Sequence, residues 1–165
     1  MTRNELYDSN EIKKLWWLHD SFWHASLVRA FGHEKANCLN LEANERFFRM
    51  LTLRLLKQGR IKKPASIQEL MAIFQMIWAI CFFDEMYIHD PITYDGNTAT
   101  WIGQTCHAYS SLSQANMTGG YVCGCQAIRN GVMKALRLNV AHSIEESLIA
   151  GHGRCVITIR YEPIK

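Results

Sequence analysis

Two cysteines one residue apart, in the stretch TGGYVCGCQAIRNGVMKAL at 118–136, are the first residues in this chain able to do chemistry. Two glycines precede Cys123 and Cys125, at what reads as the start of a helix. Backbone N–H groups at a helix N-terminus favour an anion, so a thiol there loses its proton more readily. The pair could be a nucleophile, part of a metal site, or ordinary small buried residues. Residues two apart on a helix do not face the same way. One of the two thiols would then face a pocket while the other packs, and a two-thiolate clamp would need non-helical backbone.

Other titratable residues cluster in the C-terminal half. In NVAHSIEESLIAGHGRCVITIRYE, Val140, His142, Ile144, Glu146 and Leu148 alternate onto one strand face. If Ile144 and Leu148 point to the core, His142 and Glu146 do too, and together they would form an acid/base couple near neutral pH. The alternative is that Glu146 sits near an edge and reaches solvent, and a bulge would exchange the two faces. The wider set of Cys106, His107, Cys123, Cys125, His142, His152 and Cys155 makes zinc or iron the candidate metals. Its spacing matches no metal signature, and C-x-x-C is absent. In the first helix, WWLHDSFWHAS puts Trp16, His19, Asp20 and Trp23 at helical spacing. They could wall a small-molecule pocket with His19 or Asp20 as its polar anchor, completed by Asn44 and Glu45, or they could be plain core.

The elements that must position these residues follow from periodicity. Residues 9–31 read as an amphipathic helix capped by Ser9 or Asn10 and ended by Gly32. A second helix runs from about Glu34 to Lys57, and a third from Ile67 to Cys81 behind Pro64 and Ser66. The turn signal DGN marks a hairpin with strands near 83–92 and 98–108. SSLSQANMTGG reads as a loop, Tyr121 to Leu136 as a fourth helix, and the last segment as a second hairpin turning at GHGR. The expected fold is α+β: N-terminal helices, about 9–81, packed on an antiparallel sheet of two hairpins separated by a helix, about 83–163.

Bulk properties bound the function. The 165 residues suffice for one domain, spanning 1–165, with a real core. With 48% hydrophobic and 20% charged residues, the chain is globular rather than disordered. A net charge of +3 argues against nucleic acid as a partner, and the basic run RLLKQGRIKK at 54–63 suits a helix C-terminus. The longest apolar run, LMAIFQMIWAICFF, has 14 residues, too few to span a membrane. No secretory leader is expected at the polar start, so a cytoplasmic location and reduced cysteines are expected. Partners are then a small-molecule substrate or ligand and, through the Trp-rich first helix and Met71 and Met76, a second copy of the chain.

The segments TWIGQTCHAY, YVCGCQAIRNG and HSIEESLIAGHGRCVITI resemble the L-2-amino-thiazoline-4-carboxylic acid hydrolase-like family. The N-terminal LWWLHDSFWHASLVRAFGHEKANCLN is compatible with that family's helical front end. The closing strand with GHGRCVITI is also similar to the end of 4-vinyl reductase domains, which bind small molecules. The first resemblance implies hydrolysis of a cyclic C–N bond in a thiazoline-type amino acid derivative, with Cys106, Cys123, Gly151 and Cys155 at the matching positions. Cys123, Cys125, His142 and Glu146 are the expected catalytic groups. Trp16, His19, Asp20, Trp23, Cys106 and Cys155 are the expected substrate contacts. The second resemblance implies a ligand- or metal-binding module without chemistry.

Overall fold

A computed structural model of the chain describes residues 8–162. The expectation for the chain's start falls mostly outside them, as does the last residue of the expected α+β part. The elements are α1 (Ser9–Lys57), α2 (Ile67–Cys81), β1 (Thr93–Asp95), β2 (Thr98–Gly103), α3 (His107–Gln114), α4 (Cys125–Leu136), β3 (Ala141–Glu146) and β4 (Cys155–Arg160). They form an α+β fold, with helices packed on a four-stranded antiparallel sheet of order β1-β2-β4-β3.

Asp8, rather than Ser9 or Asn10, caps α1: its carboxylate accepts from the Asn10 amide at 2.9 Å. At Gly32 the backbone leaves helical geometry, with φ 79° and ψ 167°. Only glycine adopts that conformation cheaply. The two expected helices are therefore two arms of one kinked helix. α2 has the expected bounds. Ser66 accepts from the Glu69 amide at 3.2 Å, and Glu69 reaches back to the Ala65 amide at 2.7 Å. That reciprocal pair satisfies donors the first turn leaves free. Residues Ile67, Leu70, Met71, Phe74 and Ile77 then form its buried stripe. Phe48, Leu70, Phe74 and Ile77 are all 1% exposed or less. Each such side chain contributes roughly 1.5–3 kcal/mol of transfer free energy.

The second arm of α1 lies against α4, and Gly131 sets their distance. A Cβ there would overlap the Glu45 carbonyl and stand 3.0 Å from the Arg49 amide. Below the helices, β2 and β4 join the two hairpins, pairing Trp101 with Ile157 and Gly103 with Cys155. Ala99, Trp101, Ile157 and Ile159 form the buried inner face. Tyr161 ties the sheet to the turn before α2 by donating to the Pro64 carbonyl at 2.7 Å.

Three expected boundaries move. The first hairpin's leading arm is only Thr93–Asp95, not 83–92. Pro91 has no N–H to give a ladder. What precedes it pairs only as a bridge between His89 and Gly103. β2 stops at Gly103, and the expected loop contains α3. α4 begins at Cys125 rather than Tyr121. The residues before it are held by buried Asn37, which donates to the Gly120 carbonyl at 2.6 Å and accepts from the Val122 amide at 3.2 Å. Cys123 thus stands on non-helical backbone and Cys125 on the first turn.

Candidate functional site

A cavity of about 480 Å³ lies between the first arm of α1 and the sheet, closed by α3 and the start of α4. Its walls are mostly aromatic. Trp78 tilts against Trp101 at 4.9 Å between ring centroids, Trp17 stacks on Phe82 at 5.1 Å, and Tyr87 meets Trp101 edge-on at 5.5 Å. At another wall, Tyr121 packs edge-on against His24 at 5.4 Å. All of these residues line the cavity.

Each wall has a local cause. Trp17 is anchored by its indole N–H, which donates to the Cys81 carbonyl at 2.9 Å. The phenol end of Tyr87 can pack against β2 because position 103 is glycine: any Cβ there would overlap the phenol oxygen. Arg129 enters from α4 on the same stripe as Cys125, Val132 and Leu136, and is 1% exposed. Its Nε donates to His142 Nδ1 at 3.3 Å, and His142 Nε2 meets Asn130 Oδ1 at 2.8 Å. These partners assign the His142 proton to Nε2. Burial and the Arg129 charge push the His142 pKa down, so the ring stays neutral.

Polar groups in the cavity wall are incompletely paired. Four of the residues that line it carry a buried polar atom without a hydrogen-bond partner among the described residues: His24 Nδ1, Tyr87 Oη, Trp101 Nε1 and Arg129 Nη2. A buried polar atom left unpaired costs about 1–3 kcal/mol, more if charged. Burial raises the Tyr87 and Tyr121 pKa values far above the ordinary phenol range, so both keep their protons. Burial also raises Asp20 and lowers His24.

The thiols divide the work. Cys123 and Cys125 both line the cavity. The Cys125 side chain hydrogen-bonds to the Cys123 sulfur and, against the cost of burial, lowers the Cys123 pKa from 9.0 to about 6, helped by the Cys125 amide and Arg129. The same interaction raises Cys125 well above its ordinary value. Of the two thiols Cys123 is therefore the more acidic, its anion favoured by the neighbouring thiol, the Cys125 amide and the Arg129 charge. Burial raises Cys106 and Cys155. Both face a small recess beside the cavity, together with Cys123 and Cys125.

The structure brings together only some of the residues singled out by sequence. Cys106, Cys123, Cys125, Asp20, Asn44 and His107 line the cavity, and Cys155 lines the adjoining recess. Glu45 instead bonds Lys134. Trp16 and Trp23 are 57% and 61% exposed, and His19 stacks on Trp16 away from the cavity. Trp17, His24 and Phe22 take that role, because the cavity faces a different side of the helix. His142 and Glu146 do not meet. The strand register shifts between Ile144 and Glu146, so Glu146 stands opposite Val156 and pairs with Arg154 at 2.8 and 2.9 Å. His152 is exposed and bonded to Ser147. Among the described residues, no group of three or more His, Cys, Asp or Glu is arranged to hold a metal ion.

No family model matches this chain, and no curated protein is similar to it in sequence. The fold itself defines the class: helices over a four-stranded antiparallel sheet, as in several solved structures. One is trafficking protein particle complex subunit 3 from Naegleria fowleri, covalently bound to palmitic acid, at TM-score 0.56 and 10% identity over 96% of this chain and 99% of that one. Another is the phenol-responsive sensory domain of the transcription activator PoxR with phenol, at TM-score 0.53 and 11% identity over 94% of this chain and 75% of that one. At such identity the likeness is one of fold.

Proposed function

We propose that this chain is a small-molecule-binding module whose ligand occupies the cavity between α1 and the sheet. The observation that carries this reading is the aromatic-walled space of about 480 Å³, to whose walls four residues with an unpaired buried polar atom contribute. Ligand pockets have this size and this mixture of apolar wall and a few polar groups. Two proteins of the same fold, described above with palmitic acid and with phenol, support it. Thermal denaturation with a panel of aromatic probes, phenol and indole among them, tests it. The expected result is a ligand-dependent rise in Tm that Ala108→Trp, which fills the cavity from α3, abolishes. No rise with any probe would overturn the reading.

A second reading is supported by the Cys123 thiolate beside Arg129 and by the hydrolase-like motifs. In it, Cys123 attacks, or stabilises attack on, the cyclic C–N bond of a thiazoline-type amino acid derivative. Product formation from 2-amino-thiazoline-4-carboxylate that Cys123→Ser abolishes would establish it. Failure of the parent protein to turn this compound over would dismiss it.

The six cysteines are free thiols, which supports a cytoplasmic location. No helix among the described residues is long and apolar enough to cross a membrane. A homodimer is supported by the exposed Leu15, Trp16, Phe22 and Trp23 on the first arm of α1. Light scattering of the parent and of Trp16→Glu, which would then be monomeric, tests it.

A further inference from the structure

We infer that the exposed face of the second arm of α1, with the turn that follows it, docks on an anionic lipid surface. The face lies outside the cavity, so the inference does not depend on a ligand there.

The first observation is a segregation of charge. Residues 46–63 hold seven of the chain's 18 Lys and Arg and no Asp or Glu. The whole chain is only +3, so the rest of it is net acidic. All seven cations are exposed. Arg46 pairs with Glu42 one turn back, and none of the ion pairs among the described residues includes the other six.

The second observation is apolar. Phe47, Met50 and Leu53 are 48%, 65% and 39% exposed, while Phe48, Thr52 and Leu55 are buried on the other side of the helix. With 3.6 residues per turn, the three exposed side chains share one arc of about 160° with Arg46, Arg49, Arg54 and Lys57. A basic last turn alone is ordinary, because it suits the helix dipole. That accounts for Arg54 and Lys57. It does not account for Arg46 and Arg49, which come well before the last turn, or for three bulky apolar side chains left in solvent among them.

Cations interleaved with apolar side chains on one helix face match a surface of negative headgroups over hydrocarbon. The headgroups take the charge, and the acyl boundary takes Phe47, Met50 and Leu53. Lys and Arg stems lie along such a boundary while their heads reach the phosphates. A second copy packed by the same face would set like charges against each other. A nucleic acid offers phosphates but no place for Met50 and Leu53. A single strand stacks its bases on aromatic side chains, and this face exposes one, Phe47.

Flotation of the full chain with vesicles of phosphatidylcholine alone, and of phosphatidylcholine with about a third phosphatidylserine, tests this. The chain is expected to float with the anionic vesicles and not with the neutral ones, and to be released as salt rises. Each cation near such a surface is worth about fivefold in partitioning, so Arg54→Gln with Lys57→Gln should lower binding by about 25-fold. Lys35→Gln, on the same helix but outside the patch, should change nothing. Met50→Gln should weaken binding several-fold and keep the preference for anionic vesicles. All four positions are exposed, so an unchanged Tm should accompany each variant. Binding to neither vesicle, or equally to both, would overturn the inference. Anionic binding that the Arg54 and Lys57 pair of substitutions leaves intact would overturn it too. Capture by single-stranded RNA or polyglutamate without capture by vesicles would overturn the lipid assignment and give the face to another polyanion. None of these outcomes bears on the cavity.

Discussion

Cys125→Ala should slow the reaction of Cys123 with electrophiles at neutral pH and leave it fast in alkali. The magnitude follows from the thiol pair. With a pKa of about 6, Cys123 is about 90% thiolate at pH 7, whereas a thiol at 9.0 is only about 1% ionised. The leading cause of the shift is the hydrogen bond from Cys125, set against the cost of burial, which the substitution leaves in place. Losing the donor therefore sends the Cys123 pKa upward, and its rate at pH 7 should fall by about tenfold or more. The assay is the rate of carbamidomethylation by iodoacetamide from pH 4 to 10, with the modified residue located by mass spectrometry. A Cys38→Ser background removes the one exposed thiol. A half-maximum near pH 6 in the parent, shifted upward in the variant, is the expected pair of results. A parent midpoint above pH 8, or one that Cys125→Ala does not move, would refute the reasoning. The same shift has a stability consequence. The folded thiol is more acidic than the unfolded one, so its contribution grows as pH rises from about 6 towards 9.0 and is lost as pH falls through about 6.

Gly131→Ala should destabilise the protein to urea by roughly 1–3 kcal/mol, although alanine favours a helix by about 1 kcal/mol, because its methyl meets the α1 backbone rather than a movable side chain. A higher denaturation midpoint would contradict the close approach of α1 and α4. Burial raises the Asp20 pKa, so its charge costs stability once pH exceeds the unfolded value and costs nothing below it. Asp20→Asn should therefore raise Tm at pH 7 and have no effect at pH 3; an equal change at both would rule out the charge as its cause. Glu146→Gln should leave both Tm and probe affinity unchanged, since its half-buried side chain pairs with Arg154 at the surface and away from the cavity. A large loss of binding would return Glu146 to the site.

Local signals predicted local structure well. Ser66, Pro64 and a clean 3.6-residue stripe mark α2 to its ends, and the DGN turn and the alternation around 140–160 mark both hairpins. What failed depends on long-range packing. The first helix carries Leu15, Trp16, Trp17, Leu18, Phe22 and Trp23 around most of its circumference, so periodicity cannot say which side is walled in. The bulge that turns Glu146 outward leaves no mark in an alternating pattern. Arg129 was missed because charge reads as surface. Yet its position three residues before Val132 and four after Cys125, on an otherwise buried stripe, was a signal in plain view.

Before Gly32, α1 contributes a single buried residue, His24, although much of the cavity's front is built from that arm. Trp101, Tyr87 and Arg129 stand elsewhere, on β2, on the segment after α2 and on α4, the first two packed in or against the hydrophobic core. A ligand in the cavity would thus meet two different parts of the chain. Substitutions at Leu18, Phe22 or Ala25 would reshape one wall at little cost to folding, while the wall set by the core stays fixed. A fold divided in this way can change one side of its cavity without disturbing the other, which makes the arm the natural place to retune selectivity by directed evolution.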